Sequence, residues 1–377
     1  MATKTLIRSS WRTSLITAFV TFLFLMFLLG GQGGEPADMA WAAIFGLIGA
    51  CAVISILRFG RLHGTRLIMF IVLGLFFTII FSIEHQITRG SILLSDKQID
   101  TGTGVPICPI TLPFVVVPLA IRGEMIFPAA ISALAFTGFF WLSMVVLFGR
   151  GFCGWICFFG GLDQGCAALS RRRIFKLGKW ERWARLFPYA LVLLLILVAV
   201  VALYPLYCAW ICPLRLLYDP PEVTTSLDWL AAVIFVTGGM GLMVVGPLVT
   251  RKRFHCSYFC PLIPMNSLVG LVSPFRVKVD RSKCNDCKIC IRTCPHSAMT
   301  EESLAKGTVT IECSRCGKCM QECPQGAIDF KLIGTNMGAR PAFVALAVTF
   351  SLMLTGGYIR GLIHFLQTGT LGAIGGG

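Results

Sequence analysis

CNDCKICIRTCP at residues 284–295 and its near copy CSRCGKCMQECP at 313–324 decide how this chain is read. In both, the cysteines fall at C-x2-C-x2-C-x3-C-P: Cys284, Cys287, Cys290 and Cys294 before Pro295, then Cys313, Cys316, Cys319 and Cys323 before Pro324. Thiolates recurring every third residue let one short loop wrap three iron corners of a cube, and a distant fourth thiolate fixes the two halves together. The spacing predicts two 4Fe-4S clusters with exchanged fourth ligands. Cluster one takes Cys284, Cys287, Cys290 and Cys323; cluster two takes Cys313, Cys316, Cys319 and Cys294. Tandem zinc ribbons would use pairs of cysteines, not triplets with a fourth before proline.

The flanking segments agree. FRVKVD (275–280) and TVTI (308–311) alternate as strands do, and Gly326 with AIDFK suggests a returning strand. Residues 274–333 therefore read as an α+β module of the two-cluster bacterial ferredoxin-like kind.

Outward from the module the composition changes. The 377 residues are 56% hydrophobic and only 14% charged, with a mean hydropathy of +0.78, too apolar for a soluble chain of this length. A helix needs about 20 mostly apolar residues to cross a bilayer. Stretches near that length lie at 13–30, 38–57, 67–83, 129–148, 186–204, 229–249 and 342–358, the third and last being the shortest. The expected fold is an α-helical polytopic membrane protein with about seven transmembrane helices and the ferredoxin-like module inserted: a membrane domain over 1–273, the module at 274–333, and a final helix and tail at 334–377. A further apolar run at 110–121, broken by Pro113 and Pro118, reads as re-entrant or interfacial. The first apolar segment lacks a small-residue cleavage pattern, so it is expected to be retained.

Charge orients the chain. With the N-terminus inside, 28 of the 33 Lys and Arg fall on the cytoplasmic side, all but Arg89, Lys97, Arg122, Arg215 and Arg360. An eighth span would break that agreement. The expected location is the inner (cytoplasmic) membrane, with the N-terminus and the module cytoplasmic and the C-terminus on the far side. The net charge of +15 and the run RRRIFKLGKWERWAR (171–185) raise nucleic acid as a partner. Membrane ends and anionic headgroups account for the same residues, with Trp180 and Trp183 as an interfacial belt, so nucleic acid is excluded.

On this topology thirteen of the seventeen cysteines are cytoplasmic or at that membrane edge, where clustered thiols mean metal more than disulfides. Outside the module, three C-x3-C pairs stand at membrane boundaries: Cys153 and Cys157 in GFCGWICFFG, Cys208 and Cys212 in YCAWICPL, Cys256 and Cys260 in HCSYFCPL. A spacing of four puts both thiols on one helical face, able to share a soft metal or a cluster edge. The first and third pairs form a candidate cytoplasmic-side metal or cluster site. The second pair, with Cys108, forms a candidate far-side site, for which a disulfide is the competing reading. Cys51 and Cys166 read as buried free thiols. His85 beside Glu84 is a candidate proton acceptor for a quinone head group, with a solvated helix end as the plain reading; His63, His255, His296 and His364 carry weaker claims.

CGWICFFG, a two-helix hairpin, CSYFCPL and then a tandem ferredoxin module, over about 129–331, resemble the NapH and NosR group of membrane polyferredoxins. The resemblance implies electron transfer between a quinol pool and a partner redox protein, or support of metalloenzyme maturation, sometimes through copper. The chain departs from the pattern where Phe158, not proline, follows Cys157, and in the extra motif of Cys208, Cys212 and Pro213. The lack of a flavin-attachment domain and of a large C-terminal domain points to the shorter NapH-like form.

Three functions follow as expectations. The first is a membrane electron-transfer subunit of a quinol-linked system, a relay rather than a self-contained enzyme, since no phosphate-binding glycine pattern or acid-base constellation is present. The second is a maturation factor holding Cu(I) at the C-x3-C pairs. The third is an anchor whose mildly basic ferredoxin segment, with 10 Lys and Arg against 7 Asp and Glu over 276–331, docks on an acidic partner or on lipid. Membrane lipids, the quinone pool and a partner redox protein or metalloenzyme are the expected partners.

Overall fold

A computed structural model describes residues 8–30, 36–88, 129–170, 174–175, 181–202, 207, 225–335 and 337–368. The apolar stretches form helices: α1 (Trp11–Gly30), α2 (Pro36–Leu57), α3 (Leu62–Thr88), α4 (Ala129–Phe148), then short α5 (Gly151–Trp155) and α6 (Phe158–Leu169), α7 (Glu181–Ala202) and α8 (Ser226–Met240). A widened π-turn at Gly241–Val245 joins α8 to α9 (Gly246–Thr250), where Pro247 lacks the N–H that a regular ladder needs. After α10 (Phe254–Tyr258) and α11 (Leu262–Val269) come β1 (Phe275–Val279), α12 (Ile289–Thr293), α13 (Glu301–Ala305), α14 (Lys318–Glu322), β2 (Ile328–Leu332) and α15 (Arg340–Thr368).

Among the described residues six helices are long and apolar enough to cross a membrane: Trp11–Gly30, Pro36–Leu57, Leu62–Ile80, Trp183–Val201, Ala232–Thr250 and Arg340–Thr368. The 20-residue α4 coincides with the remaining expected stretch. The outward faces of these helices are themselves apolar, as with Phe27, Ile68 and Val201, each more than two-thirds exposed, which suits lipid and not water. The two stretches expected to be shortest belong to long helices, α3 with 27 residues and α15 with 29. Counting apolar runs missed this because both helices continue through polar ends, Glu84–Gln86 in one and Arg360–His364 in the other. The run at 110–121 lies outside the described residues.

Two compact units divide the chain. The first comprises Met1–Ile80, Val145–Gly165 and Asn266–Gly377; the second Phe81–Met144 and Cys166–Met265. Within the first, α1, α2 and α15 pack together. A methyl at Gly46 would stand 2.7 Å from the Phe22 ring, the close small-residue approach typical of membrane helices. Asp38, buried near the start of α2, is paired with Arg360 of α15.

The same unit holds the ferredoxin segment. β1 and β2 pair antiparallel with Phe275 opposite Leu332 and Val279 opposite Ile328. Phe275, Val277, Ile328 and Phe330 turn inward, and Phe330 stacks on Phe343 of α15 at 4.2 Å between ring centres. Arg340 pairs with Asp329 at 2.8 Å, tying the last helix to the sheet. TVTI, expected as a strand, is not one. The Thr308 N–H goes to the Ser303 carbonyl and that of Thr310 to Ala298, which leaves one cross-link where a ladder needs several. In the second unit α7 packs on α10, with Phe187 edge-on to Phe259 at 5.3 Å.

Candidate metal centres

The two cysteine loops repeat in backbone as well as in sequence. Asp286, Lys288 and Ser297 have positive φ, and so do Arg315, Gly317 and Gly326, each 29 residues further on. α12 and α14 keep the same offset. Four of those six positions carry side chains for which a left-handed backbone is costly, so the wrap of each loop is imposed against local preference. The N–H of Ala298 donates to Cys294 Sγ at 3.2 Å, and that of Ala327 to Cys323 Sγ at 3.4 Å.

Cys284, Cys287, Cys290 and Cys323 line one cavity, and Cys294, Cys313, Cys316 and Cys319 line another, with His296 at its wall. Each cavity thus combines three thiols of one loop with the fourth thiol of the other, a soft four-sulfur donor set that fits a 4Fe-4S cluster. Among the described residues no three His, Cys, Asp or Glu side chains converge on a point as one metal ion requires; cysteines around a cube of four irons stand further apart than that. Burial pushes the Cys290 thiol up to about 11 and the Cys313 thiol up to about 12, neighbouring thiolates adding to the rise. Iron binding there must expel protons.

The loops differ in their surroundings. The first is exposed, held by a bidentate Arg281 to Asp286 contact at 2.6 and 2.9 Å and by Lys288 to Glu301 at 2.5 Å. The second is buried from Ser314 to Gly317. Gly317, at φ 73°, lies against Leu62, where an added methyl would meet Cδ2 at 2.0 Å, and the Gln321 Oε1 accepts from the His63 N–H at 2.7 Å. Trp155 Nε1 donates to the Arg315 carbonyl at 3.0 Å. Arg315 takes the place of Asp286 in the repeat, and its guanidinium turns inward to the Phe148 carbonyl and to Ser273 Oγ. Burial pulls it down to about 10, against an upward pull from Cys313.

Cys153 and Cys157 flank the residues that meet this loop. Both are buried, and Asn266 Nδ2 donates to Cys153 Sγ at 3.0 Å. Between them, Gly154 packs against the Ser314 carbonyl, while its own carbonyl accepts from Arg66. Arg66 is fully buried at the start of α3, and its Nη2 donates to Gln164 Oε1 at 2.8 Å. Arg66→Leu strips both oxygens of this donor, and a loss of about 3 kcal/mol is expected in thermal unfolding of the purified protein.

In the second unit Cys256 and Cys260 are also buried, and Arg253 Nη2 lies 3.6 Å from Cys256 Sγ. Burial lowers His255, beside Cys256, to about 4 from 6.5. The folded chain therefore binds fewer protons here than the unfolded one between those values. The His255 contribution is whole above pH 6.5 and is lost as pH falls towards 4, up to about 3 kcal/mol. Denaturant melts across that window should show a steeper decline for the wild type than for His255→Gln.

Cys108, Cys208 and Cys212 lie outside the described residues, as do the side chains of Glu84 and His85. Cys51, expected to be buried, is exposed, and Cys166 is half-buried; the outer face of a membrane helix is apolar enough to take a thiol. Among the described residues every cysteine is a free thiol. Reasoning from the sequence passed over Arg66, Gly154, Trp155 and Asn266. Arg66 gave a signal, since a cation opening an apolar run marks function or structure by its cost alone.

A family model described as a 4Fe-4S dicluster domain matches residues 283–328. A second, described as a 4Fe-4S binding domain, matches 129–176, 184–222 and 229–280, so that each C-x3-C pair falls in one matched segment. An uncharacterized protein of Methanocaldococcus jannaschii is 29% identical over 50% of this chain and 67% of its own length. The ferredoxin-type protein NapH of Haemophilus influenzae is 27% identical over 43% of this chain and 53% of its own. The putative electron transport protein YccM of Escherichia coli is 25% identical over 52% and 54%. The chain thus spans about half the length of NapH and YccM. No solved structure matches it. The matched models are both 4Fe-4S models and the curated relatives include ferredoxin-type and electron transport proteins, so over about half of its length the chain is similar to NapH/NosR-type polyferredoxins.

Proposed function

We propose that the protein is a membrane electron relay, the iron–sulfur subunit of a quinol-linked system. One observation carries this: two thiol-lined cavities, one under an exposed loop and one under a loop packed on Leu62, Gly154 and Trp155 at the ends of apolar helices. Cys284, Cys287, Cys290 and Cys323 hold cluster one; Cys313, Cys316, Cys319 and Cys294 hold cluster two. Bound there, each cluster supplies reversible one-electron transfer. The exposed first loop meets a partner redox protein, and the second meets the membrane side. In this reading seven helices cross the inner membrane, α4 among them, with the N-terminus and the module in the cytoplasm and the C-terminus on the far side, an orientation that the positive-inside count supports.

Cys153 and Cys157 in the first unit, and Cys256 and Cys260 in the second, extend the relay as candidate ligands for further iron–sulfur centres. The match of the 4Fe-4S binding domain to their segments supports that extension.

Anaerobic, fully metallated protein mixed with a quinol analogue should show bleaching of the cluster absorbance. Complete failure to reduce either cluster overturns the quinol link. Iron beyond about eight per chain, lost in Cys153→Ser, supports the further cluster, whereas stoichiometric copper lost in the same variant favours metal handling.

A further inference from the structure

A third cavity, of about 450 Å³, opens beside the second loop within the first unit, a size that holds small ligands and headgroups. Arg150, Arg276, Lys278 and Arg315 all line it, and no carboxylate is among its described lining residues. Two of the four are almost wholly buried, Arg150 at 3% exposure and Arg315 at 6%.

Three of these cations are held by neutral oxygens. Arg315 donates to the Phe148 carbonyl and to Ser273 Oγ at 2.7 Å, Arg276 to the carbonyls of Gly270 and Leu271, and Lys278 Nζ reaches the Thr335 carbonyl at 3.5 Å. Arg150 is different. Its Nε and Nη1 are buried with no hydrogen-bond partner among the described residues. A buried guanidinium with two of its nitrogens left without an acceptor is disfavoured, and more so with three like charges around the same space. An anion with several acceptor oxygens completes the arrangement, and phosphate matches the guanidinium fork.

The mouth of the cavity indicates where the phosphate comes from. Leu271, Ile311 and Ile333 line it and are 49%, 45% and 50% exposed, with Val272 beside them at 64%. Cations beneath an apolar rim suit an amphiphile better than a free ion. Arg150 follows the end of α4 by two residues, which is headgroup level if α4 crosses the bilayer as proposed. We propose that this cavity binds the phosphate of an anionic lipid headgroup, Arg150 and its cationic neighbours holding the oxygens and the exposed rim meeting the acyl chains.

The test uses the full chain in detergent, with phosphatidylglycerol, phosphatidylcholine and sodium phosphate as probes, read by native mass spectrometry and thermal melting. Phosphatidylglycerol should stay bound and raise the melting midpoint, phosphatidylcholine should not, and Arg150→Met should weaken the phosphatidylglycerol effect about tenfold. Without lipid, Arg150→Met should melt at or above the wild type, since it removes a buried charge with two nitrogens lacking an acceptor. If Arg150→Met fails to assemble, Lys278→Gln, half-buried on β1, carries the comparison, with iron content checking that the module is intact. Equal shifts from the two lipids, or a phosphatidylglycerol shift unchanged in the variants, overturns the proposal. Sodium phosphate reproducing the whole shift at matched concentration overturns the lipid as source.

Discussion

Cys323→Ser removes the same cluster as Cys287→Ser, and Cys294→Ser the same one as Cys316→Ser. This is the result expected from iron analysis and low-temperature spectra of the four variants, each losing about four irons relative to the wild type. Read linearly, Cys323 belongs with Cys313, Cys316 and Cys319, its neighbours on the second loop. The fold reverses that grouping, since Cys323 closes the cavity of Cys284, Cys287 and Cys290, while Cys294 closes the other. The N–H donors at Ala298 and Ala327 reach these two crossing sulfurs, so each exchange is braced by backbone. Losing the second-loop cluster in Cys323→Ser would refute the exchange.

Gly154→Ala is expected to cost about 3 kcal/mol and to release the second loop before the first. The new methyl would lie 2.2 Å from the Ser314 carbonyl oxygen, a backbone atom on a loop whose φ values leave little room to give. Gly154 has no easy retreat, because Arg66 holds its carbonyl and the Trp155 indole is anchored on Arg315. Thermal unfolding with spectra recorded along the melt should show early loss of the second cluster. Gly238→Ala is the control: nothing lies within 4 Å of its added methyl, and helix propensity favours alanine there by about 1 kcal/mol.

The cysteine framework was legible from spacing because wrapping a cube leaves one economical pattern of thiols, and the apolar runs were legible because the bilayer sets their length. The helix ends were not. α3 and α15 run on past their apolar cores, and nothing in Glu84–Gln86 or Arg360–His364 stops a helix. TVTI has the alternation of a strand, but pairing depends on what lies alongside, and only Ala298 offers it a ladder contact. The contacts of the second loop with Gly154, Trp155 and Leu62 join residues about 160 to 255 positions apart, a distance that local patterns do not span. Arg66 came nearest to being found, as a charge that an apolar helix has no reason to carry unless something receives it.

The duplicated loops began with the same backbone and the same sulfur spacing, yet one carries Asp286 in water where the other carries Arg315 under cover. Solvation then does what ligand chemistry does not. A cluster next to mobile water and a carboxylate, and a cluster next to fixed dipoles and a guanidinium, differ in midpoint potential although their thiolates are alike. The shielded centre also has less solvent to reorient when its charge changes. A redox titration should resolve two one-electron steps, with the more positive assigned by its absence in Cys316→Ser. Two centres of one backbone and one sulfur spacing thus come to differ through the charge and the solvent beside them, which is enough to make the pair unequal.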